Sequence, residues 1–124
     1  SMNAEIYLWI NAFLYAAFAL WCMIQPTTTA TFSGLSFLNV SGRAEYFAIY
    51  VGLEAAWAVM YIVCALNDDL QFAGVFYSVF LYAGVVIGRW ISIFQKGVAS
   101  NNTYIIAILE IILGAWAVVL LSQY

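Results

Sequence analysis

Four stretches of the chain are apolar almost without interruption: Ile6–Ile24, Glu45–Leu66, Phe72–Phe94 and Tyr104–Leu121. A helix rises about 1.5 Å per residue, so each is long enough to cross a hydrocarbon core of about 30 Å. None alternates with period two as a barrel strand does. The pattern predicts four membrane-spanning helices, at about 5–25, 44–66, 70–95 and 103–122, in a single transmembrane domain over 1–124. The punctuation agrees. Pro26 ends the first helix. Asn67-Asp68-Asp69 makes a tight hairpin in which either aspartate can cap the third helix, and Asn101, Asn102 and Thr103 offer caps for the fourth. Short connections give an all-α, up-down antiparallel bundle with both termini on one face. That face is called A here and the opposite one B. The first span is too long and too weakly basic for a cleaved signal peptide, and Ser1 before Met2 reads as a tag-cleavage scar.

The longest connection, Gln25–Arg43, lies on face B. It is threonine-rich but carries Phe32, Leu35, Phe37 and Leu38. It reads as an interfacial loop dipping those side chains into the headgroups, or as a lid over a cavity in the bundle.

Polar interruptions carry the candidate chemistry. Counted inwards from the face-B helix ends, Arg89 lies about 8 Å deep, Glu110 about 10 Å and Glu54 about 14 Å, with Tyr15 level with Glu54. A charge at a helix centre costs about 2.5–3.5 kcal/mol, so three facing lipid would cost roughly 8–10 kcal/mol. That rivals the whole stability of a small protein, so the three should face inwards and share partners. Arg89 can bridge two carboxylates through its fork of donors. One negative charge then remains, to be met by a proton, a cation or water. Asn11 is the only strongly polar residue in the face-A half, which argues against an ion file across the bundle.

Helical periodicity supports the inward placement. At about 100° per residue, Arg43, Tyr50, Glu54 and Tyr61 fall within about 40° of one line, with Trp57 beside it. Ser78, Tyr82, Arg89, Ser92 and Lys96 form a second stripe. Ala107, Glu110, Gly114 and Ala117 share a face, and Asn11, Tyr15 and Cys22 align more loosely. The expected site therefore comprises Glu54, Arg89, Glu110, Tyr50, Tyr82, Tyr15 and Trp57, with Arg43, Glu45 and Lys96 at its rim. Small residues line up too: Gly84 and Gly88 in the third span, and Ala44, Ala48, Gly52 and Ala56 in the second. Close packing within the bundle is the expectation for both lines, and a homodimer through either is the alternative.

Composition narrows the classes further. The chain is 67% hydrophobic and 7% charged, with a formal net charge of −3, far from a soluble domain. There is no basic footprint for nucleic acid. No histidine and two cysteines argue against zinc sites and disulfide frameworks. Cys22 and Cys64 lie near opposite faces, too far apart to pair. No metal or cofactor motif is present. Arg43 and Lys96 flank face B, which makes that face cytoplasmic and both termini external.

At Gly42–Gly52 and Gly88–Glu110 the sequence resembles small bacterial four-helix membrane proteins grouped as a domain of unknown function and related to the DoxX-like group. Glu45, Tyr50 and Gly52 match the opening of that family's second helix. Gly88, Arg89 and Gly97 match the end of its third, and Glu110 its fourth. Phe47 stands where the family often has Arg, and Lys96 where it often has Asp. The resemblance implies the fold, a bacterial inner membrane and the pocket residues, and implies no activity. Three functions follow as candidates. One is an intramembrane pocket for a small apolar or lipid-like ligand. Another is a structural or partner-binding protein whose buried ion network fixes helix packing. The last is a lipid- or quinone-modifying enzyme using paired carboxylates. Membrane lipids are the expected partners throughout.

Overall fold

A computed structural model describes residues 1–124. The chain is 86% helical and has no strands. Five helices follow in order: α1 Met2–Ile24, α2 Pro26–Phe32, α3 Val40–Leu66, α4 Asp68–Lys96 and α5 Asn101–Leu121. All but α2 are long and apolar enough to cross a membrane. Their outer faces are apolar and uncovered: Phe13, Phe80, Phe94, Val118 and Val119 all stand exposed. In water such a surface would be an aggregation site; in a bilayer it is the ordinary boundary with lipid.

The core sits in the face-A half. Tyr7, Leu8 and Ala12 of α1 meet Tyr61 and Ala65 of α3, Val75 and Tyr82 of α4, and Leu113, Ala117 and Leu120 of α5. Two glycines allow this approach. A Cβ on Gly74 would stand 2.8 Å from Leu8 Cδ2 and 3.1 Å from Cys64 Cβ, and one on Gly114 would stand 2.9 Å from Tyr82 Cβ. The small-residue lines expected to pack the bundle do not. Gly84 and Gly88 have nothing within 4 Å of an added Cβ, and Ala44, Ala48, Gly52 and Ala56 are exposed. Those lines face outwards because α3 and α4 meet their neighbours through tyrosine, serine and Gly74 instead.

Hydrogen bonds tie this core, and they correct the view that Asn11 is alone there. The Tyr7 hydroxyl donates to the Leu113 carbonyl at 2.9 Å, and Asn11 Nδ2 donates to the Tyr7 carbonyl at 2.8 Å. The Tyr82 hydroxyl donates to Asn11 Oδ1. Tyr15 donates in turn to the Tyr82 hydroxyl at 3.1 Å. Tyr61 and Ser78 share a hydrogen bond of 2.6 Å, and Ser78 also donates to the Gly74 carbonyl at 2.8 Å. Every fully buried side-chain nitrogen or oxygen has a partner. In hydrocarbon this matters more than in water, because no solvent compensates a lost bond.

The helices pair unevenly. α1 packs along α3, α4 packs along α5, and α3 joins the two pairs through α4; contact between α1 and α5 is sparse. Near face A that last seam is closed by the Tyr7–Leu113 bond and by Tyr7 lying edge-on to Trp116 at 5.0 Å.

On face B the long connection is more ordered than a loop. Pro26 both ends α1 and begins α2, since a proline at the first helical position loses no needed N–H. Thr29 and Ala30 are buried, and the Tyr46 hydroxyl donates to Thr29 Oγ1 at 2.7 Å. At the other end, Asn102 Nδ2 donates to the Phe32 carbonyl at 3.3 Å, tying α2 to α5. Gly34 turns the chain with φ 80°, a conformation that costs glycine little. Phe37 packs edge-on to Tyr46, whereas Leu35 and Leu38 stay exposed. Asn39 caps α3 by accepting from the Gly42 N–H at 2.9 Å. At α4 the capping position is Asn67, and the two aspartates follow it in the first turn, where they complement the helix dipole. At α5 it is Ser100, and no side chain bonds the first-turn amides.

Candidate functional site

Arg89 and Glu110 meet. Arg89 Nε donates to one carboxylate oxygen and Nη2 to the other, both at 3.0 Å. This side-on, two-bond arrangement is the strong geometry for a guanidinium and a carboxylate. The two residues differ in depth by about 2 Å along antiparallel helices, so their side chains reach each other without strain. The pair fastens α4 to α5 and is only partly buried, with side-chain exposures of 30% and 16%.

Glu54 does not join them, contrary to the expected triad. It is buried at 9% exposure, yet no hydrogen bond or ion pair reaches its carboxyl group, and Arg89–Glu110 is the only ion pair in the chain. Both oxygens of Glu110 and the matching edge of Arg89 are already used on each other. Glu54 lies within electrostatic range of Glu110, Tyr15 and Tyr50. It therefore occupies the face-B half as a carboxyl group without a protein partner.

A local irregularity in α3 sets this geometry. Phe47–Leu53 winds as a π-helix, one turn ahead of Glu54. In a regular helix, steps of four residues from Tyr46 through Tyr50 and Glu54 to Ala58 would drift by about 120°. The wider turn offsets that drift and brings Tyr46, Tyr50, Glu54 and Ala58 towards the interior. It also corrects the place of Arg43. That side chain is exposed and lies over the Phe47 ring, 4.2 Å from its centroid, while Tyr46 takes the inward position. Insertions of this kind are rare and frequent at functional sites.

The remaining expected residues divide. Tyr15 lies edge-on to Trp57 at 5.4 Å and stacks on Tyr61 at 5.9 Å, so it joins the two halves. Tyr50 stacks on Tyr46 at 4.4 Å. Tyr82 belongs to the face-A hydrogen-bond network, turned towards Asn11. Of the rim residues, Glu45 borders a cleft of about 270 Å³ under the α2–α3 connection, lined by Leu35, Phe37, Tyr46 and Tyr50 among others. Lys96 is exposed in the last turn of α4. A second, open cleft of about 480 Å³ runs beside Arg89, between Val85, Ser92 and Ile93 of α4, Ala99 of the α4–α5 connection and Thr103 in the first turn of α5. Tyr46 and Thr29 are not among the expected site residues, and Thr103, expected only as a helix cap, lines the cleft beside Arg89. Only the spacing of four between Tyr46, Tyr50 and Glu54 pointed to the first of them. No group of three or more His, Cys, Asp or Glu side chains converges to hold a metal.

An uncovered apolar exterior, four spanning helices and a charged pair between two of them define the class: a small helical-bundle membrane protein. The chain belongs to the family described as a domain of unknown function, DUF4345, which it matches over residues 4–121. That match does not tie it to the DoxX-like group. No curated protein and no solved structure matches the chain.

Proposed function

We propose that the protein binds a small apolar or lipid-like molecule within the membrane, through the polar groups of its face-B half. The observation that supports this reading most is Glu54: an ionisable side chain largely buried in the bundle, whose carboxyl oxygens keep an opening to the surroundings and bond to nothing in the protein, beside an ion pair that does not include it. A carboxyl group in that position is costly, and a hydrogen bond from a ligand or from water offsets the cost. Tyr15, Tyr50 and Trp57 supply aromatic walls. The sparse seam between α1 and α5 suits entry from the bilayer, and α2 covers the site at face B. Arg43 and Lys96 favour face B as the cytoplasmic side of a bacterial inner membrane. The uncovered small-residue faces of α3 and α4 suit a homodimer.

The test is native mass spectrometry of the protein purified in mild detergent, with lipid analysis of what leaves with it. Wild type retains a discrete adduct and Glu54→Gln loses it while staying folded. An adduct retained at equal occupancy by Glu54→Gln sinks the reading. The same spectra report the dimer.

A second reading has its own support in the two-bond clamp of Arg89 on Glu110. Such a pair can serve packing alone. Replacing Arg89 with Met and Glu110 with Gln together then preserves cellular function, and loss of function with normal folding argues against it.

A further inference from the structure

The cleft beside Arg89 has a chemistry of its own. Arg89 spends Nε and Nη2 on Glu110, and its Nη1 amino group bonds to nothing in the protein. Arg89 lines the cleft whereas Glu110 does not, and Nη1 is the guanidinium nitrogen left free to serve a ligand there. Ser92, about one turn on along α4, and Thr103, on α5, line the same cleft. The Thr103 hydroxyl meets Ser100 Oγ at 3.3 Å, and Ser100 makes no side-chain bond to the first amides of α5. Lys96 lies one turn beyond Ser92 on the same side of α4. The polar side chains lining the cleft are one cation and two hydroxyls, and no acidic side chain lines it. Below it the walls become apolar, with Ile93 beside the polar groups and Val85 one turn deeper.

A cationic, hydroxyl-bearing end above apolar walls, with Arg89 about 10 Å below the end of α4, matches the division between a lipid's phosphate and its glycerol and acyl chains. Guanidinium groups bind phosphate oxygens well, and basic pockets between spanning helices hold lipid headgroups. We infer that this cleft holds the phosphate of an anionic phospholipid, with Arg89 Nη1 and the Ser92 and Thr103 hydroxyls donating to it. The inference rests on the ligand-binding reading above and names its ligand class.

Titration of the full chain in detergent with phosphatidylglycerol, diacylglycerol or inorganic phosphate, followed by native mass spectrometry, tests it. Phosphatidylglycerol binds one to one, about tenfold tighter than diacylglycerol, and inorganic phosphate alone binds far more weakly. Ser92→Glu places a like charge in the cleft without touching the Arg89–Glu110 pair and weakens phosphatidylglycerol about tenfold. Ser122→Glu, at the far face, leaves it unchanged. Circular dichroism confirms that both variants are folded, and Ser92→Ala provides a milder variant with a smaller loss. Equal binding of phosphatidylglycerol and diacylglycerol overturns the inference. So does a Ser92→Glu protein that behaves like Ser122→Glu. Inorganic phosphate binding as tightly as the lipid would overturn the lipid assignment. If Glu54→Gln still loses the co-purified adduct while the two lipids bind equally, only the phosphate assignment falls.

Discussion

The two halves of the bundle solve the same problem in opposite ways. Both place polar groups inside a hydrocarbon-sized fold. In the face-A half, Tyr7, Asn11, Tyr61, Ser78 and Tyr82 are buried and bonded to one another or to the backbone. Glycine at 74 and 114 lets the helices close over them. In the face-B half the helix is loosened by a π-turn, the one ion pair is partly exposed, clefts open on two sides, and Glu54 has no partner. Satisfied polarity rigidifies a membrane bundle; unsatisfied polarity is kept only where something other than stability selects it.

Overpacking the tight half should have the largest effect. Gly74→Val drives a branched side chain into Leu8 and Cys64 and should cost about 3 kcal/mol or prevent folding. Thermal unfolding in detergent measures it, with Gly84→Ala as the control that changes little because its Cβ meets nothing. Next, Tyr82→Phe removes the donor to Asn11 Oδ1 and the acceptor for Tyr15. Two polar groups lose their partner, so about 2 kcal/mol should go, read from the same melts. A smaller effect is expected on face B. Tyr46→Phe deletes the hydroxyl's bond to Thr29 and its weaker contact with Cys22 Sγ, while Thr29 still donates to the carbonyls of Gln25 and Pro26. The loss should be about 1 kcal/mol and should show as faster amide exchange across Pro26–Phe32, with α4 and α5 unaffected. Equal sensitivity of the two halves to these substitutions would dissolve the contrast.

The spans were legible because hydrocarbon thickness sets helix length and composition marks it. The meeting of Arg89 with Glu110 followed from counting depth along antiparallel helices. What stayed hidden depended on tertiary contacts or on a residue with two meanings. Pro26 reads as a stop, and it is also a start, so the sequence alone presents α2 as loop. The π-turn has no local signature, and without it a regular wheel points Arg43 inwards and leaves Tyr46 aside. Helical spacing puts Tyr82 with Ser78 and Tyr15 with Asn11, but which hydroxyl meets which partner depends on contacts between helices that spacing does not carry. The glycine pattern misled for a physical reason. Spacing shows that Gly84 and Gly88 share a face, and cannot show which neighbour, if any, lies against it.

Glu54 carries the central claim that the loose half is shaped for binding rather than for stability. The most direct test is one variant read two ways: Glu54→Gln, with unfolding temperature and retained ligand measured on the same preparation. Replacing a carboxyl group that bonds to nothing in the protein by its neutral isostere should leave stability within about 0.5 kcal/mol of wild type or raise it, and should abolish ligand retention. A marked fall in unfolding temperature with ligand still bound would contradict the account and make Glu54 a structural residue.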